Sequence, residues 1–165
     1  MMTKDMLTKE ESLDIMREQG KADALELQAN APKMTGTEII AEEHKIPDYN
    51  PQKDYSSWKA GSPVADEGQV WLLIQPHNAS HYGGRPSELR ALWGLAHTKD
   101  PAKAKPWVAP FGVSGLYMID EVAIYPSKED DLDHIWLNKH NNNEFPPETL
   151  NVEDRWEDLG VVGRE

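Results

Sequence analysis

Two stretches of this chain are framed by tryptophan in the same way, and that duplication limits the fold more than any other feature. The first copy holds Trp58, then Gly61-Ser62-Pro63-Val64, then Val70-Trp71-Leu72-Leu73-Ile74-Gln75-Pro76-His77-Asn78, and runs through Pro86 to Leu92-Trp93-Gly94-Leu95. The second holds Trp107, then Tyr117-Met118-Ile119-Asp120-Glu121-Val122, then Ile135-Trp136-Leu137-Asn138-Lys139-His140-Asn141-Asn142, and runs through Pro146-Pro147 to Arg155-Trp156-Glu157-Asp158-Leu159. Trp71 and Trp93 are 22 residues apart, Trp136 and Trp156 are 20 apart, and Val122 to Trp136 is seven longer than Val64 to Trp71. The extra length, with its acidic run from Lys128 to His134, predicts a longer hairpin loop. Each copy reads as two or three short strands, a polar loop, a proline turn and a closing Trp. Such a unit is near the lower size limit for independent folding. Bulky rings offset this: a Trp buries on the order of 150–250 Å², worth several kcal/mol at about 25 cal/mol/Å² before entropy. The chain has six Trp against two Phe, which fits a core built that way. Its 11 Gly and 12 Pro lie mostly after Pro32 and suit short strands and turns better than long helices.

The segment before the repeats has a different period. Thr8-Lys9-Glu10-Glu11 fits a capping box, and Leu13, Met16, Ala24 and Leu27 keep 3–4 spacing along one stripe interrupted by Gly20. One helix is expected over about residues 8–30, with Gly20 a point of fraying. Its apolar stripe is too thin to fold alone, so a partner chain or docking surface is required. Thr35-Gly36-Thr37-Glu38 repeats the capping-box spacing before Ile39 and Ile40, and predicts one or two further turns ending before Pro47. Residues 45–57 read as an extended linker, with Pro47 and Pro51 blocking helix. Trp58 and Trp107 are expected to pack between modules.

Net charge excludes several roles. The formal charge is −12, divided as −5 over residues 1–48, +2 over 49–105 and −9 over 106–165. With no basic run, nucleic-acid binding is not expected. No apolar stretch approaches the roughly 18 residues of a membrane span, and no secretory signal pattern is visible. Cysteine is absent, which excludes disulfide scaffolds and thiol catalysis.

The strand Val70-Trp71-Leu72-Leu73-Ile74-Gln75-Pro76-His77-Asn78, with Pro86 and Ala91-Leu92-Trp93, resembles carbohydrate-binding module families 5 and 12, the small chitin-binding domains of chitinases. Asn78 stands where the family pattern has Thr. The second copy resembles a variant of the module through Pro106-Trp107-Val108-Ala109-Pro110, Tyr117, Asp120-Glu121-Val122, Asn142, Phe145-Pro146-Pro147 and Trp156. The match covers residues 58–95 and 106–160. An N-terminal helix followed by such modules is similar to virion proteins of phages and prophages of Gram-positive bacteria. The resemblance implies binding of chitin or related β-linked polymers by exposed aromatic rings lying on the apolar face of a pyranose, whose hydroxyl rim stays in water. The family places a Trp shortly before the loop proline. The nearest aromatic residues here are Tyr82 in the first copy and Phe145 in the second, two residues before Pro147. They are the candidate carbohydrate-binding residues, and neither is Trp.

Other residues carry blander readings. Trp71, Trp93, Trp136 and Trp156 read as core. His77 and His81 lie in a loop and lack a zincin glutamate, and Asp130, Asp131 and Asp133 lack the glycine and terminal glutamate of an EF-hand. No metal, cofactor or catalytic residue is expected, since no nucleophile elbow, Walker or dinucleotide glycine pattern occurs and the carboxylates are scattered. The expected architecture is mainly β: a helical anchor or oligomerisation segment (1–47) followed by two small three-stranded modules (48–104 and 105–165). The expected protein is a non-enzymatic virion component (head fibre, decoration or tail part) made in the bacterial host cytoplasm. Its expected partners are other virion proteins or copies of itself through the N-terminal segment, and host surface polysaccharide through the modules. A purely structural virion protein is the second reading, favoured by the missing loop tryptophans.

Overall fold

The computed structural model describes residues 8–163. Helix α1 spans Lys9–Asn30, and the Thr8 hydroxyl accepts from the Glu11 amide at 3.0 Å to close its first turn. It runs unbroken through Gly20. Leu27 near its end is buried, but Leu13, Ile15, Met16 and Leu25 are 40–68% exposed, so the apolar stripe is covered at one end only. A single 3-10 turn, Ala31–Lys33, leads to α2, Gly36–Ala41. There the capping box is complete: the Thr35 hydroxyl accepts from the Glu38 amide at 3.2 Å, and the Thr35 amide donates back to Glu38 Oε1 at 3.0 Å. No helix among the described residues is long and apolar enough to cross a membrane.

Among the described residues six strands follow: β1 Pro63–Asp66, β2 Gln69–Leu73, β3 Trp93–Leu95, β4 Val122–Pro126, β5 Asp133–Asn138 and β6 Trp156–Val161. They form two separate antiparallel sheets, ordered β1-β2-β3 and β4-β5-β6. Helix takes up 28% of the chain and strand 24%, so strand does not dominate as expected. Loops and single 3-10 turns make up most of each module around its short strands.

Register relates the two sheets residue by residue. Trp71 pairs with Val64 and Leu95, and Trp136 pairs with Ala123 and Asp158. Leu73 faces Trp93 as Asn138 faces Trp156. The partner of Trp136 is thus Ala123, one residue beyond the Val122 expected from spacing. Each module also gains an incoming parallel bridge. Tyr49 donates its amide to the Ala65 carbonyl (2.8 Å) and Ala65 donates to Pro47; Trp107 donates to Ile124 (2.9 Å) and Ile124 to Lys105. The counterpart of Trp107 is therefore Tyr49, and the counterpart of Tyr117 is Tyr55. Both of these tyrosines meet the closing Trp edge-on, Tyr55 to Trp93 at 5.3 Å and Tyr117 to Trp156 at 5.2 Å between centroids.

Residues 45–57 are consequently not a linker. Tyr49 and Tyr55 are buried in the first core with Val64, Trp71, Leu73, Trp93 and Leu95. Proline blocks helix in this stretch but leaves the extended conformation that the bridge uses. Trp58 packs edge-on to Tyr55 at 4.7 Å, and Trp107 to Tyr125 at 5.8 Å. Each packs in its own module rather than between modules.

The two sheets differ in how many faces they bury. Alternate residues of a strand point to opposite faces. Trp71 and Leu73 enter the aromatic core, while Val70 and Leu72, with Ala65 and Ala96, meet Leu27, Ala31, Ile39, Ile40 and Ile46 of the helical segment. A strand buried on both faces reads as a continuous apolar run, which is what Val70–Ile74 shows. The second sheet has one core, made by Tyr117, Ala123, Trp136 and Trp156. Its central strand alternates, with His134, Trp136 and Asn138 buried and Ile135 and Leu137 half-buried.

The modules meet along a defined joint. Val122 donates its amide to the Thr98 carbonyl (2.9 Å), Gln69 Nε2 to the Pro106 carbonyl (2.9 Å) and His97 Nε2 to the Gly115 carbonyl (2.8 Å). The His97 ring stacks on Tyr117 at 3.8 Å between centroids. Lys105 pairs with Glu43, and the Lys99 amide donates to the Thr37 hydroxyl, which ties the helical segment to the connection between modules.

Candidate functional site

Tyr82 lies on the loop between β2 and β3. Asn78 starts that loop by accepting from the Ser80 amide (3.0 Å) and the Ser80 hydroxyl (2.7 Å), which holds the single turn Ala79–His81. His77 is buried beneath it, donating from Nδ1 to the Gln75 carbonyl at 2.7 Å and packing edge-on to Trp93. The Tyr82 ring stands edge-on against His77 at 5.4 Å and stays 45% exposed. The core thus fixes one edge of the Tyr82 ring. Past Tyr82 the chain forms a wall of a groove of about 380 Å³ lined by Tyr49, Pro51, Gly84, Arg85 and Glu88. Arg85 pairs there with Asp66 at 2.9 Å and Glu67 at 3.2 Å.

Phe145 is set differently. Two buried amides organise its loop. Asn143 Nδ2 donates to Asn138 Oδ1 (2.8 Å), and Asn138 Nδ2 donates to the carbonyls of Met118 and His140 (both 2.7 Å). Asn143 Oδ1 accepts from the Phe145 amide, and the Phe145 carbonyl accepts from Trp156 Nε1 at 2.8 Å. The Asn143–Asn138 bond at the centre of this network is buried and the others are partly so, which braces the loop from beneath. The Phe145 ring is half-buried, with the Arg155 guanidinium 5.4 Å from its centroid.

Tyr82 and Phe145 do not occupy matching positions. The Asn78 side chain accepts from the Ser80 amide as the Asn143 side chain accepts from the Phe145 amide, and each asparagine stands seven residues after its strand tryptophan, so Asn78 and Asn143 correspond. Phe145 therefore answers Ser80, two residues before Tyr82. Among the described residues no hydrogen bond, ring contact or groove joins Tyr82 to Phe145. Trp71, Trp93, Trp136 and Trp156 are all at most 6% exposed and are core.

A second polar cluster was not anticipated. His134 on β5 donates from Nδ1 to Asp158 Oδ1 of β6 at 2.8 Å and from Nε2 to Asp130 Oδ2 of the β4–β5 loop at 2.8 Å. Two acceptors at the two ring nitrogens require both N–H groups, which is the imidazolium. Asp158 and, next, Asp130 hold the His134 pKa above its ordinary value. The Leu132 amide, followed by His134, holds the Asp130 carboxyl below its usual range. The carboxylates lie on opposite sides of the ring and do not converge on a common point for a cation. The only advance signal was the four-residue spacing of Asp130 and His134; Asp158 is distant in sequence. His97 behaves oppositely, since burial pushes its pKa down to about 4, and it sits neutral against Tyr117.

No protein-family model matches this chain, and no curated protein matches it either.

Proposed function

We propose that this chain is a phage virion-associated protein that displays two carbohydrate-binding-module-like units. In this reading the N-terminal helical segment engages other virion proteins or further copies of the chain. Tyr82 and Phe145 supply the sugar contacts, and the protein performs no chemistry and carries no cofactor. The observation that carries the reading is the register-matched duplication around closing tryptophans, with an aromatic residue set in the loop before each closing strand. Tyr82 offers a partly exposed ring braced by His77 beside a groove with charged rims, the combination of apolar face and polar edge that a pyranose takes. Many copies on one particle raise avidity through effective concentration, so each contact suffices when weak.

The test is retention on chitin, on peptidoglycan and on host cells. The intact chain is retained on at least one of these. Tyr82→Ala lowers retention about 2–10-fold, the equivalent of about 0.5–1.5 kcal/mol for a lost aromatic contact. Absence of retention on all three surfaces removes the sugar-binding reading. A second reading, a purely structural virion protein using the modules for protein contacts, is favoured by one observation: Arg155 lies over the Phe145 ring, where a sugar would have to displace it. Under that reading Tyr82→Ala and Phe145→Ala leave host adhesion unchanged.

A further inference from the structure

We propose that the outer face of the second sheet is a docking site for helix α1 of a second copy of this chain. Register matches that face, position by position, to a face already covered in the first module. Ala65, Val70, Leu72 and Ala96 of the first sheet lie under Leu27, Ile39, Ile40 and Ile46. Their counterparts are Ile124, Ile135 and Leu137 by strand pairing, and Leu159 by its place three residues after Trp156, where the pairing of β5 with β6 shifts register. All four counterparts are apolar and none is fully buried. Ile124 and Ile135, with Val162, Pro101, Ala102 and Ala104, line a groove of about 510 Å³. The second module thus keeps these four apolar positions without a helical cover, with exposed Glu157 beside Leu137 where the first sheet has Gly94 beside Leu72.

The chain also carries the missing half. Residues 9–22 of α1 are exposed along their whole length, with Leu13, Ile15 and Met16 40–68% exposed. That stretch extends about 20 Å at about 1.5 Å per residue. A lone helix of this length with a glycine inside is marginal in water, so its stability calls for a cover. Charge fits the same pairing. Exposed Lys99 and Lys103 lie on and beside the Pro101–Ala104 wall of the groove, and Glu10 and Glu11 are exposed in the first turn of α1, ahead of Asp14 and Glu18, which pair with Arg17 and Lys21 of their own helix. The contact is heterologous: each copy gives a helix and receives one, which closes into a ring or extends into a fibre. This proposal rests on the self-association part of the functional reading and is independent of sugar binding.

Light scattering on the full chain over a concentration series, with circular dichroism as a folding control, tests it. The intact chain associates. Met16→Glu and Leu159→Glu, both at exposed positions, each yield a folded monomer. An equal mixture of the two variants forms a one-to-one dimer and nothing larger, because one sound helix and one sound face remain. A monomeric intact chain overturns the proposal, and so does a mixture that stays monomeric. Association abolished by Met16→Glu but kept in Leu159→Glu also overturns it, while leaving self-association through the N-terminal segment standing.

Discussion

His134 and His97 set opposite pH dependences within one small chain. The folded state raises the His134 pKa above its unfolded value, because the imidazolium donates to both Asp158 and Asp130. Its stabilising contribution is fully present below the unfolded pKa and is lost as pH rises through the folded one. A neutral ring keeps a single N–H, so one carboxylate then faces a lone pair. Burial lowers the His97 pKa to about 4, so the unfolded chain binds the extra proton between histidine's ordinary value and about 4, and stability from this group falls with pH there. Denaturant midpoints measured across the range check both signs. His134→Gln removes the decline that wild type shows as pH rises past histidine's ordinary value, and His97→Gln removes part of the decline on the acid side. A His134 variant that keeps the wild-type slope in that first range contradicts the two-carboxylate assignment.

At the scale of elements, local chemistry wrote the helix starts plainly. Thr8 and Thr35 both cap through their hydroxyls, because a cap depends on a side chain and an amide three residues away, and only Thr35 completes the reciprocal box that the spacing predicts at both. What lay against those helices was not written locally. Gly36 opens α2 against the His97 backbone, and a Cβ there would fall well inside contact distance of the His97 carbonyl. Gly36→Ala is expected to cost about 1–3 kcal/mol by overpacking against a backbone atom that cannot swing away. A urea titration reads it, and an unchanged midpoint would show that α2 slides freely over the joint. The strands split the same way. The alternation of β5 and the solid apolar run of β2 are both visible in the chain, but only the docked helical segment explains why they differ. The stretch 45–57 was misread as a linker because proline excludes helix without excluding a bridge to β1.

Across the whole molecule, the joint makes the two cores interdependent. His97 belongs to the end of the first sheet and stacks on Tyr117, which in turn packs on Trp156 of the second core. The bridge from Thr98 to Val122 and the bond from Gln69 to Pro106 run alongside. Thermal unfolding followed by tryptophan fluorescence and by far-ultraviolet circular dichroism is therefore expected as one coincident transition. Tyr117→Ala removes a buried ring shared by joint and core. It is expected to cost about 3–5 kcal/mol and to separate the transition into two. Two transitions already present in the intact chain would mean that the joint transmits nothing. The candidate loops follow the same rule of scale. Tyr82 and Phe145 were found as aromatics near a proline, yet their supports, His77 under one and Arg155 over the other, come from folding.

By itself the sequence determined the helix caps, the duplicated tryptophan frame and the burial of its four strand tryptophans, because those signals reside in spacing and in ring size. Tertiary structure alone decided that Tyr49 answers Trp107 and Tyr55 answers Tyr117, that His134 sits between two carboxylates, and that one sheet is covered on both faces and its twin on one. Those outcomes depend on which distant segments meet. A pairing between residues far apart in the chain has no period to betray it until the backbone has brought the partners within a few ångströms.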